Sequence, residues 1–68
     1  MASYFKEGSK LSFEGYKGTI IKITETYRKN VIVLKVSEQP KHKSNRKVDT
    51  IGIFEHRDGR LEFMAIID

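Results

Sequence analysis

Apolar side chains recur at every second position over most of this 68-residue chain, and that period decides what it can fold into. Successive side chains of a strand point to opposite faces, whereas one face of a helix needs apolar residues three and four apart. No stretch of helical length carries the second spacing, so an all-β chain is expected. Leu11 and Phe13 alternate with Lys10 and Ser12, and Glu14-Gly15-Tyr16-Lys17-Gly18 then supplies two glycines for a turn. Residues 19–27 continue as a second strand. Arg28-Lys29-Asn30 is polar and ends in a residue that tolerates positive φ, so it reads as the next turn. The β-branched run Val31-Ile32-Val33-Leu34-Lys35-Val36 reads as the central, most buried strand.

Residues 37–47 exceed an ordinary hairpin loop, and Pro40 cannot donate to a ladder, so a long loop is expected there. Residues 48–55 resume the strand pattern. Asp58-Gly59 is a strong hairpin signal, and residues 61–67 form the last strand. Five strands without a covering helix bury an apolar face most economically as a small antiparallel barrel, SH3-like with an OB-like alternative. Gly52-Ile53 in mid-strand fits a bulge where such a barrel turns a corner. The absence of a second composition regime or an internal repeat makes residues 1–68 a single domain.

Charge is where the chain departs from the average. Of 13 Lys and Arg, four (Lys41, Lys43, Arg46 and Lys47) fall within PKHKSNRK, residues 40–47. The other nine bases face nine acids, so the whole formal excess of +4 sits in one segment. A concentrated excess makes a local positive potential that gathers phosphates or an acidic protein surface. The alternative is a solvated loop that deters edge-to-edge association.

Residues 7–23, a quarter of the chain, read EGSKLSFEGYKGTIIKI and resemble the opening of SH3-like barrels of the KOW type. There a glycine and a first strand precede a Gly-Lys-Gly-like turn and a hydrophobic strand. The resemblance implies the barrel fold and, beyond it, partners such as the ribosome or the transcription apparatus.

Chemistry-bearing constellations are missing from the sequence. Without cysteine the chain has no disulfide, thiolate nucleophile or cysteine zinc site. His42 and His56 are too far apart for a helical ligand pair and read as exposed polar residues. Glu55 and Asp58 are close, but the turn at Gly59 accounts for Asp58. Gly15-Tyr16-Lys17-Gly18 is too short for a P-loop and opens no helix. A non-enzymatic protein with no cofactor and no bound metal is therefore expected. Residues 1–7 lack the apolar stretch of a secretory signal, and no apolar run is long enough to cross a membrane. A cytoplasmic, membrane-free location is expected.

In an antiparallel series alternate turns fall at the same end of the sheet. One end then gathers Tyr16, Lys17 and the loop with Lys41, Lys43, Arg46 and Lys47. The other gathers Tyr27, Arg28, Lys29, Arg57 and Arg60. Rings beside cations are what single-stranded nucleic acid needs, because bases stack on the rings while the cations meet phosphates. Alternatively Tyr27 closes the core edge and Tyr16 packs over its own turn, while Phe13, Phe54 and Phe63 belong to the core. The expected function is a binding module contacting the RNA or DNA backbone. The alternative is a protein-interaction module, a small regulator or inhibitor that docks on a larger enzyme through its basic loop or an edge strand. RNA or DNA, the barrel end used and the oligomeric state stay open at this level.

Overall fold

The structure, a computed structural model, describes residues 1–41 and 46–67. Its five strands are β1 Lys10–Phe13, β2 Tyr16–Thr24, β3 Lys29–Glu38, β4 Thr50–His56 and β5 Leu61–Ile66. All pairs are antiparallel, and the sheet order β1-β2-β3-β4-β5 follows the chain. The sheet is strongly curled into a half-barrel, with no helix among the described residues. The consecutive order is a meander. The Greek-key order of an OB barrel is not formed.

The first turn is tighter than its sequence suggests. Phe13 pairs directly with Tyr16, which leaves only Glu14 and Gly15 to reverse the chain. Both have positive φ, 49° and 86°, the backbone of a two-residue turn whose twist matches the flanking strands. Tyr16, Lys17 and Gly18 are therefore strand residues. Gly18 serves packing instead of turning: a Cβ there would stand 2.0 Å from the Lys35 carbonyl oxygen, so β2 and β3 approach closely only because it has none.

Register shifts curl the sheet. They lie between Lys17 and Gly18, between Ile20 and Lys22, and between Gly52 and Ile53, the last at the expected corner. In each the strand bends and twists more strongly, which brings the inner faces together. At the third, Gly52 pairs with Ala65 and Ile53 with Phe63, so Met64 is the extra residue. Met64 then lies over Gly52, where an added Cβ would meet its methyl at 2.4 Å.

The core runs along the concave face. Ile20, Ile32, Leu34, Ile51 and Ile53 are fully buried, with Tyr16 and Val48 nearly so, and Leu11, Phe13, Leu61 and Phe63 pack against them. Fully burying each aliphatic side chain stabilises the fold by about 1.5–3 kcal/mol. Strand β3 occupies the centre of the sheet, as its composition predicts. Phe54 departs from expectation: its register partner Val31 lies on the convex face, and Lys29 Nζ sits 3.8 Å from its ring centroid.

Asn30 is not a turn residue. It is fully buried in β3, where its amide donates to Glu55 Oε1 at 3.1 Å, and the turn is residues 25–28. Residues 37–47 also divide differently. Ser37 and Glu38 extend β3, and Pro40 and Val48 are buried at the two roots of the loop. The Gln39 side chain joins those roots, accepting from Val48 N at 2.6 Å and donating to Arg46 O at 2.7 Å.

Candidate nucleic-acid interface

Cross-strand register gathers lysines that are scattered in the sequence. Lys10 pairs with Thr19, Thr19 with Lys35, and Lys35 with Thr50, so one row crosses four strands on the convex face. Lys10 Nζ donates to Thr19 Oγ1 at 2.9 Å, which fixes both on that face. In the neighbouring row Ser12 pairs with Lys17. The bulge at Ile20 and Lys22 keeps the alternation useful: Ile21 is the extra residue, and Lys22 emerges opposite Val33 on the same convex side. Sequence reasoning missed Lys10, Lys22 and Lys35 because they cancel in the charge count. The signal that could have found them is the period-two position of each lysine opposite the apolar set of its strand.

The basic loop leaves the sheet beside this face. A Cβ on Gly15 would stand 2.9 Å from Pro40 Cβ, so the first turn and the loop root touch, as alternate turns of a meander should. Ser37 Oγ donates to Lys17 O at 3.1 Å, and Val36 N donates to Asp49 O at 2.8 Å. Lys10, Lys17 and Ser37 line a shallow cleft of about 450 Å³ there. Lys41, Arg46 and Lys47 are exposed at the ends of the loop, while Lys43 and His42 lie outside the described residues. Together with Lys10, Lys17 and Lys35 they make six described cations at this end, against the acids Glu14, Glu38 and Asp49. Glu38 pairs with Lys17 at 3.9 Å with both side chains largely exposed. Such a pair contributes at most about 1 kcal/mol and exchanges readily for a phosphate.

Tyr16 drops out of the interface. It is 5% exposed and stacks on Phe63 with ring centroids 5.9 Å apart, because its position opposite Phe13 turns the ring into the core. Tyr27 stays outside, as a stacking ring must: it is 84% exposed and closes no edge of the core. Of the two tyrosines expected beside cations, only Tyr27 presents its ring to solvent.

The opposite end does hold Tyr27, Arg28, Lys29, Arg57 and Arg60 together. Lys29 pairs with His56 across β3 and β4, and Arg57 Nη2 donates to Tyr27 O at 3.2 Å. Glu25, Glu55, Asp58 and Glu62 offset its four Lys and Arg side chains, which leaves the Met1 amine on Thr26 O as a small excess against the larger one at the loop end. Asp58 accepts from Arg60 N at 3.0 Å, and that backbone hydrogen bond, helped by the Arg60 and His56 charges, holds its carboxyl below the usual value. Glu62 meets His56 Nε2 at 2.7 Å, and this hydrogen bond likewise lowers its pKa. The larger net positive potential therefore belongs to the loop end.

Glu55 belongs to a structural network. It is fully buried and accepts from Ser3 Oγ at 2.6 Å, Tyr4 N at 2.7 Å and Asn30 Nδ2 at 3.1 Å. Burial pushes its pKa up, but the three donors together outweigh that and hold it below the ordinary carboxylate value. Among the described residues no group of three or more His, Asp or Glu is placed to hold a metal ion, and no helix is long and apolar enough to cross a membrane. Comparison with protein-family models, with characterised proteins and with solved structures gives no match.

Proposed function

We propose that this chain is a non-enzymatic module that binds the phosphate backbone of nucleic acid across the lysine face of β1–β3 and the adjoining basic loop, without reading base sequence. The observation that carries this reading is the register of Lys10, Lys17 and Lys35, which sets three strand lysines beside the loop that holds the formal charge excess. The sheet fixes the backbone from which these lysines reach out, and each cation that meets a phosphate releases counterions from the polymer. The resemblance of residues 7–23 to KOW-type barrels favours the same reading, and a cytoplasmic place of action accords with it. A second reading has its own support. The meander leaves β1 and β5 with one strand neighbour each, so a protein partner could add a strand at either edge.

Binding of a mixed-sequence oligonucleotide, followed as a function of salt, tests the proposal. Exchange of Lys10, Lys17 and Lys35 for Gln, or of Lys41, Lys43, Arg46 and Lys47 for Gln, should weaken binding at least about tenfold at low salt. Each phosphate left without its cation should make the log-affinity against log-salt slope shallower by about 0.7–0.9. Arg57→Gln with Arg60→Gln should change the slope less, since acids at their own end offset them. A parent protein that binds no oligonucleotide at low salt would overturn the proposal and leave the strand-addition reading in its place.

A further inference from the structure

The lysine face does not account for two exposed tyrosines at the far end. Tyr27 is 84% exposed and Tyr4 71%, in a domain whose third tyrosine is buried. Both stand on backbone that hydrogen bonds hold in place. Tyr27 sits in the turn between β2 and β3, where Lys29 N donates to Thr26 Oγ1 at 3.2 Å and Arg57 holds the Tyr27 carbonyl. Tyr4 is held by its own N–H on Glu55, and its ring lies over Gly59, 3.5 Å from where a Cβ would be. The two segments are tied to each other, since the Met1 amine donates to Thr26 O at 2.8 Å. Holding the backbone removes part of the ordering cost that a stacking ring would otherwise pay.

The convex face connects this end to the lysines. Below the Lys10 and Lys35 row comes Lys22 opposite Val33, then Thr24 opposite Val31, then Lys29 beside the turn that carries Tyr27. From the Lys35 row to Lys29 is six residues of β3, about 20 Å at the rise of a strand. Cations are thus spaced along β2 and β3 from the basic loop to an exposed ring.

Resting on the nucleic-acid reading above, we infer that the ligand is single-stranded, its phosphates following β2 and β3 and its bases stacking on Tyr27, with Tyr4 as a second platform. A duplex offers phosphates to the lysines but keeps its bases stacked on one another, so it gains nothing from a tyrosine ring. The tyrosines are what make the site selective for unpaired strands.

The test compares a mixed-sequence single strand, the same sequence as a duplex, and an abasic strand of equal length, each by fluorescence anisotropy at low salt. Tyr27→Leu should weaken single-strand binding roughly 5- to 150-fold, the range for removal of one stacked base, with the salt slope unchanged. Tyr27→Phe should restore it, duplex affinity should not move, and the parent should hold the abasic strand no better than the leucine variant holds the intact one. The chain has no tryptophan, so quenching of tyrosine emission by the single strand gives a direct second readout. Single-strand affinity unchanged in Tyr27→Leu, with binding weakened in the Lys10, Lys17 and Lys35 variant, would overturn this inference and leave the backbone reading intact. No binding of any strand by the parent would remove both.

Discussion

Glu55 is the one fully buried acid among the described residues, and it is placed to link parts of the chain that sequence keeps far apart. Its carboxylate takes hydrogen bonds from Ser3 and Tyr4, 52 and 51 residues away, and from Asn30 on the neighbouring strand. A buried carboxylate is tolerated only when such donors replace water. Because these bonds hold its pKa below the unfolded value, Glu55 stabilises the fold fully above that value, about 4.3, and the contribution fades as pH falls through the lower folded value. Glu55→Gln keeps the shape but sets an amide nitrogen against one of the three donors. At pH 7 the variant should be less stable by about 1–3 kcal/mol. In a domain this small each kcal/mol lowers the melting temperature by about 4–8 °C. The gap between parent and variant should narrow in acid, once the parent's carboxylate is protonated. Thermal melts at pH 7 and pH 3 measure both quantities, and equal melting temperatures at pH 7 would show that the network does not stabilise the fold.

Strands were easier to read in the sequence than their partners. The alternation around Leu34 and Ile53 marks β3 and β4 directly, because a half-buried strand must put every second side chain in the core. Asn30 misleads because its turn-forming chemistry is also the chemistry of a buried hydrogen-bonding amide, and only its position opposite Glu55 decides between them. The burial of Tyr16 has a similar cause. Two-residue reversal at Glu14 and Gly15 places Tyr16 inside, and a one-residue difference in turn length would have placed it outside. The lysine row is legible only once register is known, since Lys10 and Lys35 are 25 positions apart. The basic loop was legible as charge, but its anchoring was not. Gln39, unremarkable in sequence, reaches from one root to bond Arg46 O and Val48 N on the other. Gln39→Ala should therefore speed amide exchange at Val48 well before it affects Ile32 or Leu34 in the core, and should cost about 1–3 kcal/mol for the unpaired group. Unchanged protection at Val48 would mean that Pro40 and Val48 packing alone closes the loop.

At the scale of the whole molecule, the charges and the rings are segregated along the strands. The loop end carries six described cations against three acids. At the other end four Lys and Arg side chains balance four acids beside the two exposed tyrosines. A net charge of +4 spread evenly would draw any anion to the whole surface, whereas this arrangement gives the barrel a positive end and an end with two exposed rings. Two polyanions, one without bases and one with them, should separate the ends. Inorganic triphosphate, a polyanion without rings, should shift the amide resonances of Lys17, Lys35, Ser37 and Val48 at low salt and leave those of Tyr27, Arg28 and Gly59 in place. A single-stranded oligonucleotide should shift both groups, and raising the salt to several hundred millimolar should suppress the lysine-end shifts first, because screening shortens the reach of charge to a few ångströms but leaves stacking intact. Triphosphate shifts of equal size at Tyr27 and Gly59 would show that the arginines of that end are not neutralised by Asp58 and Glu62. The anion site would then extend over both ends of the barrel.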